Sequence, residues 1–196
     1  MNSRNKIRQQ LRQQRRMLSL TERKQAARKL CARLTNSPLF LRSQRVACYL
    51  ANDGEMDLQP VMSRIWWMKK ECYLPVIRRL NHNRLGFVHY VETEKLVQNR
   101  YNIPEPKNPN QQTPPWALNL LLLPLVAFDS NGNRLGMGGG YYDRTLAFLR
   151  RREQWHTPRL IGVAYDFQRV ESLASEPWDI PLDGVVTESK IILFGR

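Results

Sequence analysis

Cysteine, long apolar runs and, near the start of the chain, acidic residues are all scarce in this sequence. Its 196 residues include only three cysteines, Cys31, Cys48 and Cys72, an odd number without metal-ligand spacing. We expect them to be small buried side chains in a reducing compartment. No apolar run approaches the roughly 20 residues of a membrane span, and no signal-peptide apolar segment lies near the start. The sequence therefore predicts a cytoplasmic protein without a membrane segment.

The shortage of acidic residues is confined to the first part of the chain. Residues 1–33 hold eleven of the 31 lysines and arginines but only one acid, Glu22, whereas the rest holds twenty bases and sixteen acids. Such a local basic segment suits a strongly anionic small ligand as well as it suits nucleic acid. No nucleic-acid-binding motif accompanies it, so we expect a small-molecule partner. An RNA- or DNA-binding module is the alternative from another functional class.

Several familiar signatures of catalytic sites are also missing. No Gly-Lys-Ser/Thr phosphate loop occurs, and the glycine fingerprint of dinucleotide-binding folds is absent from its usual place. The three histidines show neither ligand spacing nor a nucleophile partner, and no Ser/His/Asp or Cys/His arrangement can be read from the chain. The sequence thus gives no sign of a covalent nucleophile.

Hydrophobic periodicity divides the chain into alternating helices and strands. A basic amphipathic helix comes first, and Ser19 and Glu22 have the spacing of a capping box that opens a second helix. Further helices are predicted at residues 58–70, 92–97 and 141–152, and a hairpin turn at residues 81–83. Strands are predicted at residues 45–50, 71–77, 85–90, 120–123, 160–165, 185–187 and 190–194.

This alternation predicts an α/β fold, a single three-layer domain over residues 1–196 with a mostly parallel open sheet. We expect helices on both faces and a small antiparallel hairpin addition. Polar clusters follow three predicted strands, at residues 52–57, 128–140 and 166–168. Because ligands bind at the carboxyl ends of parallel strands, we expect these clusters to converge on one crevice. The proline-rich residues 98–116 read as a long loop, either functional or a linker.

Residues 120–152 are the most informative stretch. An apolar run typical of a buried strand leads through an Asn-Gly turn to a cluster of four glycines, and a predicted helix follows. Glycines permit backbone conformations closed to other residues, and free amides at a helix start attract anions. A plain structural bend is the alternative. Arg134 before the glycines, and Tyr141, Tyr142 and Asp143 after them, favour a phosphate site.

The acidic residues near these loops have two interpretations each. Asp143 either complements the dipole of the helix or holds Mg²⁺ beside a phosphate, and physics alone does not choose. Asp179 and Asp183 bracket a proline-containing turn, where aspartate is common for local reasons. Glu55 and Asp57 lie in a loop that suits ligand contact, although loop acids are mostly solvated.

The motif RLGMGGGYYDR, preceded by PLVAFDSNGN, resembles the signature of the 5-formyltetrahydrofolate cyclo-ligase family. Other pieces agree in the same order along nearly the whole chain. These are the basic first helix, the strand and loop CYLANDGEMD, then NIPEP, IGVAYDFQ and PWDIPLDGVVTES. The resemblance implies a three-layer α/β domain that cyclises 5-formyltetrahydrofolate to 5,10-methenyltetrahydrofolate, using ATP and Mg²⁺ and releasing ADP and phosphate.

The resemblance also implies site residues. It implies folate contacts at Asn52 and Asp57. It also implies contacts that folate shares with ATP at Met137, Gly138, Gly139, Gly140 and Tyr141. It implies Mg²⁺ at Asp143 and Asp183. Candidate catalytic positions are Arg134, Tyr141 and Tyr142, where a tyrosine either holds the pterin, orients the formyl group or only packs. The ATP-binding set would be Arg4, Arg8, Arg134, Leu135, Gly136, Met137, Gly138, Gly139, Gly140, Tyr141 and Tyr142.

The implied chemistry fits residue types that position and neutralise charge. A formamide oxygen that attacks the γ-phosphate of ATP becomes a leaving group, and N10 then closes the ring. Phosphoryl transfer needs in-line placement and charge neutralisation more than a protein nucleophile. Met137 and Gly139 stand where some relatives carry Arg and Lys, so more of this duty falls on Arg134 and Arg8. Asp57 stands where some carry the longer Glu.

Partner expectations follow from the same resemblance. We expect a monomer that acts on a folate, and the basic N-terminal segment has the triphosphate and a polyglutamate tail as candidate ligands. A sugar-phosphate or CoA-type α/β enzyme is a second alternative, because a fold does not fix a function.

Overall fold

The helices of the computed structural model, which describes residues 3–78, 83–109, 111–151 and 157–195, lie mainly at the start of the chain. Ser19 and Glu22 form the predicted capping box, with the Ser19 hydroxyl accepting from the Glu22 amide at 3.2 Å and the Glu22 carboxylate accepting from the Ser19 amide at 2.8 Å. The described α-helices are α1 Ser3–Met17, α2 Leu20–Thr35, α3 Pro38–Leu41, α4 Gln59–Trp67 and α5 Tyr141–Thr145. Short 3-10 helices span Pro115–Ala117, Ala147–Arg151 and Asp166–Gln168.

Twelve strands are assigned within the described residues. They are β1 Arg45–Ala47, β2 Glu71–Ile77, β3 Leu85–His89, β4 Leu96–Gln98, β5 Pro104–Pro106, β6 Gln112–Thr113, β7 Leu120–Pro124, β8 Ala127–Phe128, β9 Arg134–Leu135, β10 Arg159–Val163, β11 Gly184–Val186 and β12 Ile191–Leu193. The strand at residues 71–77 begins and ends where the sequence predicts, and the other predicted core strands are found with shifts of a few residues.

The main sheet has eight strands in the order β12-β11-β10-β7-β1-β2-β3-β6. Its five central strands, β11 to β2, are mutually parallel, and antiparallel strands close both edges. Separate two-stranded hairpins are β4–β5 and β8–β9. The predicted α/β fold with a mostly parallel sheet is therefore confirmed.

Alternate residues of the central strands face opposite layers, as the two-residue period of a strand requires. On one face, Leu120 and Leu122 join a core with α2, α3 and α4. On the other, Leu121 and Leu123 pack with residues of and around α5, such as Leu146 and Leu149. Helices thus cover both faces, and the buried apolar run of β7 lies at the centre of the molecule.

Helix α1 packs on a third, smaller core. Leu11 lies with Val126 and with Ala127 and Leu135 of the β8–β9 hairpin, and Ile7 packs against the same cluster. The glycine cluster follows β9 directly in the chain. This packing therefore brings the basic first helix alongside the glycine loop.

The predicted helix at residues 92–97 is wrong. Leu96–Gln98 forms strand β4 and pairs with β5, and Asn99 closes the connection by donating its amide to the Ile103 carbonyl at 3.0 Å. A six-residue helix would gain too few hydrogen bonds to offset its nucleation cost, whereas a hairpin gains a partner strand.

Two further predictions need correction at their boundaries. The helix predicted at residues 141–152 ends as an α-helix at Thr145 and continues as a 3-10 helix to Arg151, and residue 152 lies outside the described residues. The loop predicted at residues 98–116 contains β5, β6 and a 3-10 turn. Residues 81 and 82 of the predicted hairpin turn and His156 also lie outside the described ranges. Across the described ranges, no helix has the length and apolarity needed to cross a bilayer.

Candidate active site

A cavity of about 1030 Å³ opens at the carboxyl ends of the central strands. Its walls come from the loop after β1, the second half of β2, the end of β7, the glycine loop, the start of α1 and residues 176–179. The predicted convergence of residues 52–57 and 128–140 is thus largely met. The third cluster is not part of these walls, because Asp166 is turned toward Glu188 and Ser189.

The glycine loop presents backbone to this cavity. Gly138 and Gly140 have φ angles of 98° and 63°, in the region that glycine adopts without strain. A Cβ on Gly136 would meet no atom within 4 Å, so this backbone faces open space. Helix α5 has only five residues, and its dipole contributes little. Anion affinity must therefore come from the loop amides and from neighbouring arginines.

Two arginines of α1 reach the cavity one helical turn apart. The Arg8 Nε donates to the Gly136 carbonyl at 2.8 Å. Arg4 pairs with Asp179 at 3.1 Å and lies 3.7 Å from the Glu176 carboxylate. Burial and the neighbouring Arg4 charge lower the pKa of Arg8 from its ordinary value. Both guanidinium groups stay charged and are fixed in place before any ligand binds.

Arg134 is buried beneath the loop with two fixed partners. Its Nη1 donates to the Ile180 carbonyl and its Nη2 to the Asp143 carboxylate, both at 2.5 Å. Burial lowers the pKa of Arg134, and the Asp143 charge opposes this effect. A buried cation held in this way supplies positive potential at the loop without moving.

Asp143 lines the cavity and fits a magnesium ligand. Its Oδ1 accepts from Arg134 and from the Ile180 amide, the latter at 3.3 Å. Neither of these contacts uses Oδ2 of the same carboxylate. Among the described residues, no group of three or more His, Cys, Asp or Glu side chains is placed to hold a metal. A single carboxylate suits Mg²⁺, which takes one or two carboxylates and completes its octahedron with phosphate oxygens and water.

Three residues expected in the site do not line the cavity. Asp183 is buried elsewhere and accepts from the Leu160 amide at 2.7 Å. Asp57 is exposed and accepts from the Gln59 amide at 2.9 Å, at the start of α4. Leu135 packs in the core beneath α1. The structure places Asp143 at the cavity wall but not Asp183. A role for Asp183 as a second metal ligand stays a prediction.

Glu55, two residues before Asp57, is the carboxylate that lines the cavity. Its side chain is only 12% exposed, its Oε2 accepts from the Asn52 amide at 3.1 Å, and its Oε1 lies 3.9 Å from Arg15. Burial raises the pKa of Glu55, and the Arg15 charge partly offsets this effect. Such a carboxyl is well suited to bind the N–H groups of a ligand.

Tyr141 and Tyr142 differ in environment although they are neighbours. The Tyr141 hydroxyl lies 2.7 Å from that of Tyr101 and accepts from Arg100. Desolvation raises the pKa of Tyr141, but the bonds to Tyr101 and Arg100 outweigh it and lower the pKa overall. Burial instead raises the pKa of Tyr142, which stays a neutral phenol at the cavity wall. Tyr141 belongs to a polar rim, whereas Tyr142 is half-buried and packs against the second core.

Part of the cavity wall is apolar, which the sequence analysis did not identify. It is formed by parts of β2 and β3 and by the tip of the β4–β5 hairpin, with the residues Leu74, Pro75, Ile77, Leu85, Tyr101, Ile103 and Pro104. This part of the wall was not predicted because residues 92–97 were expected to form a helix rather than part of the β4–β5 hairpin. The proline-rich composition of the segment was the available signal, because long loops in compact domains are often functional.

Comparison with known proteins decides between the alternatives. The family described as "5-formyltetrahydrofolate cyclo-ligase family" matches residues 1–188. The chain belongs to the 5-formyltetrahydrofolate cyclo-ligase family. It is 41% identical to the Escherichia coli 5-formyltetrahydrofolate cyclo-ligase over 92% of this chain and 98% of that protein. The Haemophilus influenzae 5-formyltetrahydrofolate cyclo-ligase is 37% identical, over 91% and 94% of the two chains.

A solved structure agrees with this assignment. The NMR structure of Aquifex aeolicus 5,10-methenyltetrahydrofolate synthetase matches with a TM-score of 0.82 and 32% identity, covering 98% of this chain and 94% of that one. The predicted family, and with it the prediction of an ATP-dependent 5-formyltetrahydrofolate cyclo-ligase, is confirmed. The protein is an enzyme, a ligase of folate metabolism, and the nucleic-acid-binding and sugar-phosphate alternatives fall away.

Proposed function

We propose that this cavity cyclises 5-formyltetrahydrofolate by phosphorylating its formyl oxygen with ATP. The observation that carries the proposal is the mixed wall of the cavity. Its arginines and glycine backbone suit a triphosphate, whereas its apolar residues and Glu55 suit a flat, substituted pterin. We infer that the formyl oxygen and the γ-phosphate meet over the glycine loop.

The reaction runs in two balanced steps. The formyl oxygen attacks the γ-phosphorus, the bond to the bridging oxygen breaks, and ADP leaves, which gives an N5-iminium phosphate. N10 then attacks the former formyl carbon and loses its proton, and phosphate departs with the formyl oxygen to leave 5,10-methenyltetrahydrofolate. The protein contributes alignment and charge neutralisation, which dominate phosphoryl transfer.

Fixed cations and amides neutralise the charge that moves in the first step. Arg8 and Arg134 are pre-positioned by the Gly136 and Ile180 carbonyls, so they need no reorganisation during the reaction. The amides of Gly136, Met137, Gly138, Gly139 and Gly140 line the same wall, and Tyr142 offers a neutral hydroxyl. Leu135 fixes the loop from below rather than touching the nucleotide.

Asp143 holds Mg²⁺ in this proposal, together with phosphate oxygens. When bound, the ion would screen the β- and γ-phosphate charge. Asp143 also keeps Arg134 oriented, because its Oδ1 accepts from the guanidinium at 2.5 Å. One carboxylate thus links the metal to the buried arginine.

Glu55 and Asn52 recognise the pterin in this proposal. Glu55 takes the place that the resemblance implied for Asp57, because Glu55 lines the cavity whereas Asp57 accepts from the Gln59 amide at the start of α4. A carboxylate matches the adjacent amino and N–H donors of a pterin edge. Tyr141 and the glycine loop contribute the contacts nearest the formyl group.

We further infer a cytoplasmic monomer, since one chain completes the cavity wall and Cys48 and Cys72 are buried free thiols. For a polyglutamate tail we infer contact with Arg100 and Arg144, which are exposed beside Tyr141, in place of the N-terminal segment, whose Arg4 and Arg8 are assigned to the triphosphate. Affinity for mono- and polyglutamylated substrate at low salt tests the tail site, and equal affinities would contradict it.

Absorbance of methenyltetrahydrofolate, formed from 5-formyltetrahydrofolate with and without Mg-ATP, tests the proposal. We expect product only with Mg-ATP, and Asp143→Asn should lower the turnover of folded protein by about 100-fold. The change also removes the charged partner of buried Arg134, so turnover is compared at a temperature where urea unfolding shows that the variant is folded. Asn keeps an oxygen for Arg134 and Ile180 but loses the charge. Full activity of this variant would return Asp143 to a purely structural role.

A further inference from the structure

Trp178 is a large aromatic side chain that stays exposed at the cavity wall. It is 57% exposed and lies next to Glu176 and Asp179, which contact Arg4. An exposed indole at the wall of a cavity offers a flat apolar surface to a ligand.

The loop that carries Trp178 is held on both sides. The Asp179 carboxylate accepts from Arg4 and from the Glu176 amide, at 3.1 and 3.0 Å. Arg150 donates to the Trp178 carbonyl at 3.1 Å. The neighbouring Ile180 is tied to the Arg134–Asp143 pair. The indole is therefore presented by a braced loop, whose order costs no further entropy on binding.

The position of this loop matches the shape of a nucleoside triphosphate. Arg8 contacts the glycine loop, and Arg4 lies one helical turn further out, about 6 Å along the axis of α1. Arg4 in turn contacts the Glu176–Asp179 segment. A triphosphate bound at Arg8 therefore directs its ribose past Arg4 and its base toward Trp178.

We propose that Trp178 and Glu176 form the base subsite of the nucleotide, an inference that rests on the proposed ATP site. The purine stacks on the indole, and the Glu176 carboxylate accepts a hydrogen bond from the 6-amino group. Asp179 is occupied by Arg4 and by a backbone amide, whereas the Glu176 side chain is 43% exposed and lies 3.7 Å from Arg4. A carboxylate repels a 6-oxo group, so this subsite selects adenine over hypoxanthine and guanine.

Steady-state kinetics of Trp178→Ala and Trp178→Phe test the stacking role. Because a stacked base gains about tenfold or more in affinity, Trp178→Ala should raise the KM for ATP about tenfold, with kcat and the KM for folate unchanged. Trp178→Phe should stay within about threefold of wild type, since it retains a stacking ring. The control is Trp67→Ala: Trp67 is 71% exposed, lies against Arg64 at 4.0 Å and does not line the cavity.

An unchanged KM for ATP in Trp178→Ala, with wild-type protein fully active, would overturn the subsite but not the ATP-dependent reaction. A raised KM for folate instead of ATP would also overturn it, because the indole would then serve the other substrate. Wild-type protein that forms no product with Mg-ATP would refute the proposed function itself.

Selectivity between ATP and inosine triphosphate tests Glu176. The two nucleotides differ at C6, where inosine carries an oxo group. Glu176→Gln can donate to that oxo group, so the preference for ATP should fall about tenfold, as expected when one hydrogen bond changes. An unchanged preference would refute the assignment of Glu176. Quenching of tryptophan fluorescence by ADP alone should be present in wild type and Trp67→Phe and lost in Trp178→Phe.

Discussion

At the residue scale, Gly136 is a position where a side chain would obstruct the ligand rather than the fold. A Cβ at this position would meet nothing within 4 Å, and its φ is not in the left-handed region. The fold therefore does not require glycine here. The requirement comes from the ligand, whose phosphates must approach the backbone closely.

Gly136→Ala should consequently separate folding from binding. We expect a free energy of unfolding that is unchanged or raised by about 0.5 kcal/mol, because alanine restricts the unfolded chain. The KM for ATP should rise at least about tenfold, since the methyl group displaces the phosphates from their aligned position. Gly195→Ala is the matched control: its Cβ also meets nothing within 4 Å, and it lies outside the cavity wall. Normal ATP kinetics in Gly136→Ala would contradict close phosphate contact.

Glu55 shows where residue-scale prediction from sequence reaches its limit. The loop after β1 lacks a helical or strand period, so the chain does not reveal which of Glu55 and Asp57 points inward. Burial of Met56 and the bond from the Tyr49 hydroxyl to its carbonyl, at 2.9 Å, set the orientation. These contacts are tertiary and cannot be read from spacing.

Exchange of each acid for its amide distinguishes the two residues. Glu55→Gln should raise the KM for 5-formyltetrahydrofolate by about tenfold to 100-fold, the value of a charged hydrogen bond, and leave the KM for ATP unchanged. Asp57→Asn should stay within about twofold of wild type, because an Asn oxygen can still accept from the Gln59 amide. The reverse ranking would restore Asp57 as the pterin ligand.

At the scale of elements, α1 carries an arginine stripe with two tasks. Arg4 and Arg8 line the cavity, whereas Arg12, Arg15 and Arg16 all bond to Asp53. Arg15 is fully buried, and its Nε also donates to the Asp53 carbonyl at 2.9 Å. Asp53 thus holds the C-terminal half of α1 while the N-terminal half reaches over the site.

Asp53→Asn should destabilise the protein by about 3 kcal/mol near neutral pH, because it removes the close charged partner of buried Arg15 and leaves only the Glu55 carboxylate, at 3.9 Å. Asn tolerates the left-handed φ of 51° at this position, so backbone strain does not explain the loss. Although desolvation raises the pKa of Asp53, the three arginines outweigh it and lower the pKa overall. Its contribution is therefore present above the ordinary Asp pKa and is lost as pH falls through the lowered value.

Urea unfolding of wild type and Asp53→Asn from pH 7 downward measures this difference. We expect it to be constant near neutrality and to shrink below about pH 4. Glu71→Gln is the control, because Glu71 forms a largely exposed pair with Arg45 at 3.5 Å and should cost less than about 1 kcal/mol. If the difference in the free energy of unfolding between wild type and Asp53→Asn did not depend on pH, charge attraction between Asp53 and the arginines of α1 would be contradicted.

Elements with strong local patterns were predictable. The apolar run of β7 and the capping box of α2 are encoded in a few adjacent residues. The β4–β5 hairpin was not, because its strands have three residues each and β5 contains two prolines. Its stability depends on packing beside β2, which local sequence does not report.

At the scale of the whole molecule, part of the formal net charge of +14 comes from arginines that form contacts within the protein. Arg4, Arg8, Arg12 and Arg15 of the basic first helix are engaged with acids, a carbonyl or the cavity. The alternation of strands and helices was enough to predict the sheet and the edge at which ligands bind. The full cavity wall was not predictable, since residues of segments 99–104 and 176–179 join the glycine loop around the cavity only in the folded chain. The single-domain organisation stays a prediction.

Transfer of oxygen from substrate to phosphate tests the central claim most directly. The enzyme is supplied with 5-formyltetrahydrofolate labelled with ¹⁸O in the formyl group, together with unlabelled Mg-ATP, and the released phosphate is analysed by mass spectrometry. If the formyl oxygen attacks the γ-phosphorus over the glycine loop, each phosphate carries one ¹⁸O atom. Unlabelled phosphate, with the label released to water, would contradict phosphorylation of the formyl oxygen.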